Sequence, residues 1–264
     1  MRAILRTCAV LLTLVLIGCT ESANAPDNVP PAPPSGLSTS AGDNFIELFW
    51  NKSQEHDVAG YNVFVSSSYD GRYDLIGSTR VPHFVDKGAV NGNVYYYAVT
   101  AYDEDGNESP LSKDMAYDIP RPEGYGVSLA DVHQIPSASG YDFSRSAVVS
   151  YDDEYADMYF ENYRDTSFMN VRTDTDIQDM GPTESVLQIS GAPSAGWSPT
   201  HDVILQQGHT YVVWTWDDHY AKFRVSSLSP QKVVFDWVYQ VRGSTPLLKH
   251  GAGERPPVVL KRPA

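Results

Sequence analysis

The sequence predicts an all-β protein in which an antiparallel sandwich is followed by a second β-rich domain. Three observations carry that prediction. Apolar side chains recur at every second position in short runs, the spacing of extended strands buried on one face. Clusters of Gly, Asn, Asp and Ser interrupt those runs about every 10–15 residues, as turns between strands do. The composition agrees: 17 Tyr, 5 Trp, 19 Gly and 18 Pro among 264 residues, with 20% charged, favour pleated sheet over helix.

The first eighteen residues read as an export signal. Arg2 and Arg6 form a short positive region, and Ala9 to Ile17 an apolar one broken only by Thr13. That stretch is shorter than the roughly 20 apolar residues needed to span a bilayer. The segment Leu16-Ile17-Gly18-Cys19 resembles a bacterial lipobox. The resemblance implies cleavage before Cys19 and acylation of its sulfur, hence a membrane partner reached through lipid. With Thr20 rather than Asp after the cysteine, it also implies a cell-envelope lipoprotein of the outer membrane, periplasmic or surface-facing. Acyl chains contribute about 0.8 kcal/mol per buried CH₂, so two or more anchor stably. Cys8 lies in the removed segment, so the expected mature chain has no intramolecular disulfide and no cysteine-based zinc site.

Residues 19–34 read as a tether. Thr20 to Pro34 contains five prolines and almost nothing to bury, which gives a polyproline spacer with a reach of about 40 Å at roughly 3.1 Å per residue.

Alternation begins at Leu37. Ile46, Leu48 and Trp50 share one face, then Tyr61, Val63 and Val65, then Tyr95, Tyr97, Val99 and Ala101. Turn signals stand at Asp70-Gly71, Asn91-Gly92 and Asp105-Gly106. The runs PPSGL, IELFW, DVAGYNVFVS, YDLIGS and NGNVYYYAVTAYDEDGNESPLS closely resemble bacterial fibronectin type III domains. The resemblance, assigned to residues 35–120, implies an immunoglobulin-like sandwich of seven strands. Trp50 would close its second strand in the core, Tyr61 would lie on the third and Tyr95 would open the sixth. Asp103, Asp105, Asn107 and Glu108 are half of a calcium loop by residue type, but the glycine falls at the wrong position for an EF-hand, so a solvated turn is expected.

Arg121-Pro122-Glu123-Gly124 reads as a hinge, and residues 124–246 as the β-rich second domain. Strands are expected at Ser146–Tyr151, Ala156–Glu161, Tyr211–Trp216, Tyr220–Val225 and Val233–Tyr239, with Asp217-Asp218-His219 as a turn. Ala221, Phe223 and Val225 point inward by alternation, Lys222 and Arg224 outward. A helical turn fits within 183–190. Residues 247–264, with Pro256-Pro257 and Pro263, read as a disordered tail. The blocks YVVWTWDDHYAKFRV and VVFDWVYQ resemble the core of HmuY-type haem-capturing lipoproteins, which implies haem as a possible ligand but assigns no iron ligand.

Candidate chemistry is sparse. His201 and His209 lie eight residues apart around a possible turn, and two facing imidazoles can ligate haem iron. The bland alternative is two surface histidines. His219 is expected to serve its turn. Two acidic clusters, Asp152-Asp153-Glu154-Asp157 and Asp174-Asp176-Asp179, could bind calcium or form a glycosidase carboxylate pair; solvated loops are the plainer account. Trp197, Trp214, Trp216 and Trp237 could include a sugar-stacking platform, and alternation puts Trp214 and Trp216 on one face. No catalytic residue, metal site or obligate cofactor is assigned. A formal net charge of −14 opposes nucleic-acid binding. The expected function is a lipid-anchored envelope binding or adhesion protein for an unknown protein or glycan, without catalysis. Haem or small-ligand capture by the second domain and a surface hydrolase are the alternatives.

Overall fold

A computed structural model describes residues 28–189, 191–240 and 260–262. The export signal, Cys19 and most of the tether therefore lie outside the described residues, as do 241–246 of the expected second domain and 247–259 and 263–264 of the expected tail.

The first domain contains β1 (Ser38–Gly42), β2 (Phe45–Phe49), β3 (Val58–Ser66), β4 (Asp74–Thr79), β5 (His83–Asp86), β6 (Tyr95–Asp103) and β7 (Ala116–Asp118). They form sheets ordered β1-β2-β5 and β4-β3-β6-β7, the arrangement of a fibronectin type III-like fold. The alternating residues meet between the sheets: Ile46, Leu48, Val63, Val99 and Ala101 are all 0% exposed. Trp50 follows β2 directly and packs edge-on against Tyr61, with ring centroids 5.4 Å apart. Tyr97 keeps its hydroxyl paired while buried, donating to Asp86 at 2.9 Å. Burial first, and the Asp86 carboxylate beside it, push its ionisation far above the usual tyrosine range. The Asp105-Gly106 turn forms as expected, with Gly106 at φ 87°. Asp103 closes it by accepting from the backbone N–H of Asp105 at 3.0 Å and of Asn107 at 2.8 Å, so this carboxylate is engaged by its own loop.

The second domain is a larger sandwich. One sheet runs β10 (Ala147–Val149), β9 (Gly140–Asp142), β11 (Met158–Tyr163), β12 (Thr166–Val171) and β14 (Asp202–Ile204). The other runs β13 (Asp176–Pro182), β15 (His209–Trp214), β16 (Tyr220–Ser229), β17 (Lys232–Tyr239) and β8 (Glu123–Ala130). Consecutive strands β15, β16 and β17 pair antiparallel as the expected meander. Their inward faces bury Tyr211, Val213, Phe223, Val225, Phe235 and Trp237 against Met158, Phe160 and Met169 of the opposite sheet. Each such side chain contributes roughly 1.5–3 kcal/mol on burial. Among the described residues of 183–190 the helical element is a 3-10 turn, Val186–Gln188.

One boundary differs from the sequence reading. Glu123 and Gly124, expected in the hinge, open β8 and stand opposite Val238 and Trp237. A side chain at Gly124 would collide with the Trp237 indole, so glycine there serves close packing. The link between domains is correspondingly shorter, and the Tyr239 N–H donates to the Pro122 carbonyl at 2.9 Å.

Burial decides the cost of losing a phenyl ring. Phe223→Ala, at a position 0% exposed, is expected to cost about 3–5 kcal/mol. Phe49→Ala, at 41% exposure, should cost about 1 kcal/mol or less. Urea unfolding of both variants measures the difference.

Candidate functional site

The outer face of the sheet containing β15 and β16 carries the candidate site. Because side chains alternate, the strands that bury Tyr211, Val213, Ala221 and Phe223 must turn Val212, Trp214, Tyr220 and Lys222 outward. In register, Trp214 stands opposite Tyr220 and Val212 opposite Lys222. Trp214 and Tyr220 contact at 5.6 Å between ring centroids. Trp197 arrives from the loop before β14, whose Ser198 N–H donates to the Ile177 carbonyl of β13 at 2.9 Å. Its ring lies parallel to Tyr220, at 6.4 Å and 7°, and 6.0 Å from Trp214. The three rings form a half-buried aromatic platform on the sheet surface.

The turn between β15 and β16 holds this platform in place. Asp218 adopts φ 66° and is buried, with its carboxylate accepting from Trp214 Nε1 at 2.8 Å. Thr215 donates through its hydroxyl to Asp217 at 2.6 Å, and His219 Nδ1 lies 3.2 Å from the same carboxylate. Burial alone would raise the Asp217 carboxyl. The bonds from His219 and Thr215 outweigh it and hold the group below its ordinary value. Asp217-Asp218-His219 is thus a turn built to fix an indole.

Beside the platform lies a cleft of about 440 Å³. Leu187, Ile189, Val212, Tyr220, Lys222 and Val238 line it from the second domain, and residues 117–121 close it from the first. The Lys222 ammonium donates to the Ile189 carbonyl at 2.6 Å and so ties the 3-10 region over the sheet. Burial, with Arg121 nearby, brings its pKa down to about 8.

The predicted site residues separate. Trp214 joins the platform. Trp216 lies beyond the end of β15, in the turn, so the strand alternation that gave it a shared face with Trp214 stops short of it. Trp237 is core. His201 Nδ1 contacts the Thr175 carbonyl at 2.9 Å, whereas His209 Nδ1 contacts the Asp179 carboxylate at 3.0 Å. Each imidazole docks at its own place along β13, and among the described residues no ring contact joins the two. This geometry does not fit a bis-histidine haem site. The acidic clusters are also occupied locally. Asp153 pairs with Arg145 at 2.5 Å, Asp157 accepts from the Phe143 N–H at 2.9 Å, and Asp179 accepts from the Gly181 N–H at 2.8 Å. Among the described residues no group of three or more metal-ligating side chains converges. Tyr220 was missed as a site residue; its position opposite Trp214 across a tight turn was the available signal.

No protein-family profile matches the chain. An amylopullulanase of Thermoanaerobacterium saccharolyticum is 36% identical over 107 residues, which is 40% of this chain and 8% of that enzyme. Exoglucanase B of Cellulomonas fimi is 28% identical over 111 residues, 40% of this chain and 10% of the enzyme. The chain therefore spans a small fraction of the length of the curated relatives it matches. Among solved structures, a Fn3-like protein from Clostridium thermocellum is 31% identical, with a TM-score of 0.30, over 34% of this chain and 92% of its own.

Lys222 gives the site a pH signature. The unfolded side chain holds its proton to about 10.5, the folded one to about 8. Between those values the unfolded state binds more protons, so stability rises with pH. Urea midpoints compared at about pH 7.5 and pH 9, about a unit below the ordinary tyrosine value of about 10, should show this rise, and Lys222→Met should remove it.

Proposed function

We propose that the chain is a non-catalytic binding protein of the cell envelope, whose second domain holds a neutral glycan on the Trp197–Trp214–Tyr220 platform. The platform is the observation that carries this reading. Sugar rings present flat C–H faces that stack on aromatic rings, and a half-buried, pre-positioned ring loses little freedom on binding. The adjoining cleft offers room for further units, with Lys222 and Arg121 as polar partners. A net charge of −14 disfavours polyanionic ligands at long range. The matched relatives carry the names amylopullulanase, exoglucanase and chitinase; the likeness involves a small part of each, an accessory fibronectin type III-like region rather than the domain that bears the platform. The fibronectin type III-like domain serves as a spacer between this face and an acylated Cys19. The carboxylates considered for hydrolysis are spent on turns, which favours binding over catalysis.

A neutral-glycan array probed with the detergent-solubilised full chain tests the platform. Binding is expected, and Trp214→Ala should weaken it by roughly tenfold, the scale of one aromatic stacking contact. Unchanged affinity in a folded Trp214→Ala chain would contradict the reading. The anchor is tested separately: Cys19→Ser should move the protein from the membrane fraction to the soluble fraction, and retention in the membrane would count against acylation.

A further inference from the structure

The other sheet of the second domain turns a polar pocket outward. Its alternation sends Met158, Phe160, Met169 and Val171 into the core. Glu161, Phe168, Asn170 and Asp202 face the opposite way, with Glu161 opposite Phe168 and Asn170 opposite Asp202 in register. Residues on the outer face of a sandwich are ordinarily wet, yet Glu161 and Asn170 are 0% exposed.

Arg262 covers them. Its guanidinium lies 3.5 Å over the Phe168 ring. Nη1 donates to Glu161 at 2.6 Å and to the side-chain Oδ1 of Asn170 at 3.1 Å, while Nη2 donates to Asp202 at 2.6 Å. Asn170 Nδ2 in turn donates to Glu161 at 3.1 Å, and His133 Nε2 lies 3.3 Å from its other oxygen. Two carboxylates on separate strands, a side-chain amide and an aromatic floor match the planar fork and stacking face of a guanidinium. The compact ammonium of lysine cannot reach both acids at once. Lys261 illustrates the difference: it donates to the Thr200 and His201 carbonyls at 2.5 and 2.6 Å, at the pocket rim.

We propose that this pocket is a recognition site for the arginine of an extended basic peptide segment, filled in the resting chain by its own Arg262. Residues 260–262 belong to no strand, and the side chains of Lys261 and Arg262 supply contacts that dock them. A free peptide of the same chemistry offers the pocket the same contacts but competes with a tethered segment, so removing Arg262 opens the pocket to it. A buried Glu161 without a cation is unfavourable, and this drives the pocket to take a guanidinium from whichever segment supplies one.

The test uses a fluorescent peptide with the sequence of residues 258–264, titrated by anisotropy into the full chain and its variants. Arg262→Ala should bind the peptide saturably and roughly tenfold or more tighter than the unmodified chain, the scale of a charge-assisted hydrogen-bond pair. Adding Glu161→Gln should abolish that binding. If Arg262→Ala does not fold, Arg262→Lys keeps a cation in the pocket and should bind the peptide more tightly than the unmodified chain. Binding by the folded variant no tighter than by the unmodified chain, or binding that survives Glu161→Gln, would overturn the proposal.

Discussion

Successive residues of an extended strand point to opposite sides of the sheet, and both surfaces of the second domain follow from that constraint. In β15 and β16 the residues that fill the core fix which residues face outward. Once Tyr211, Val213, Ala221 and Phe223 are buried, Trp214, Tyr220 and Lys222 have no other place to go. A shift of one position in register would put Trp214 into the core and Val213 onto the surface. The same rule in β11 and β12 commits Phe160 and Met169 to the interior and leaves Glu161, Phe168 and Asn170 on the outer side. Core packing therefore positions both surfaces proposed as binding sites, and their side chains need little local machinery beyond the turn that holds Trp214.

Much of this architecture was legible in the sequence because its signals are local. Ile46, Leu48 and Trp50, or Ala221, Phe223 and Val225, declare a buried face within five residues. Gly106 declares a turn through the positive φ that glycine tolerates. The limits of the reading were equally physical. Alternation stops where the strand stops, and nothing at Thr215 marks the end of β15, so the reading carried the strand pattern on to Trp216, which lies in the turn. Glu123 and Gly124 looked like a hinge because a charged residue and a glycine follow a proline; their pairing with β17 depends on strands more than a hundred residues away. The His201 and His209 pairing rested on spacing around a supposed turn, whereas β13 engages the rings separately. Long-range docking such as Arg262 onto Glu161 leaves no periodic trace at all.

Several polar groups in this protein are buried together with their partners. Tyr97 brings Asp86, Trp214 brings Asp218, and Glu161 brings Asn170 and Arg262. An unpaired buried group costs about 1–3 kcal/mol, enough to decide a local conformation. This explains why so many acidic residues in the second domain are engaged by neighbouring N–H groups, arginines or histidines. Carboxylates that sequence spacing grouped into possible catalytic or calcium clusters, Asp153, Asp157 and Asp179 among them, are engaged by local partners instead. The aromatic platform differs in kind: its rings contact one another and are only half-buried.

The indole N–H resonances of the five tryptophans offer the most direct test of that platform as a binding surface. Titration with a neutral oligosaccharide, followed by proton–nitrogen correlation spectra, separates Trp197 and Trp214 on the outer face from Trp50 and Trp237 in the two cores. The account predicts shifts for Trp197 and Trp214, with Trp50 and Trp237 unmoved. Saturable binding that leaves Trp197 and Trp214 unshifted would contradict it.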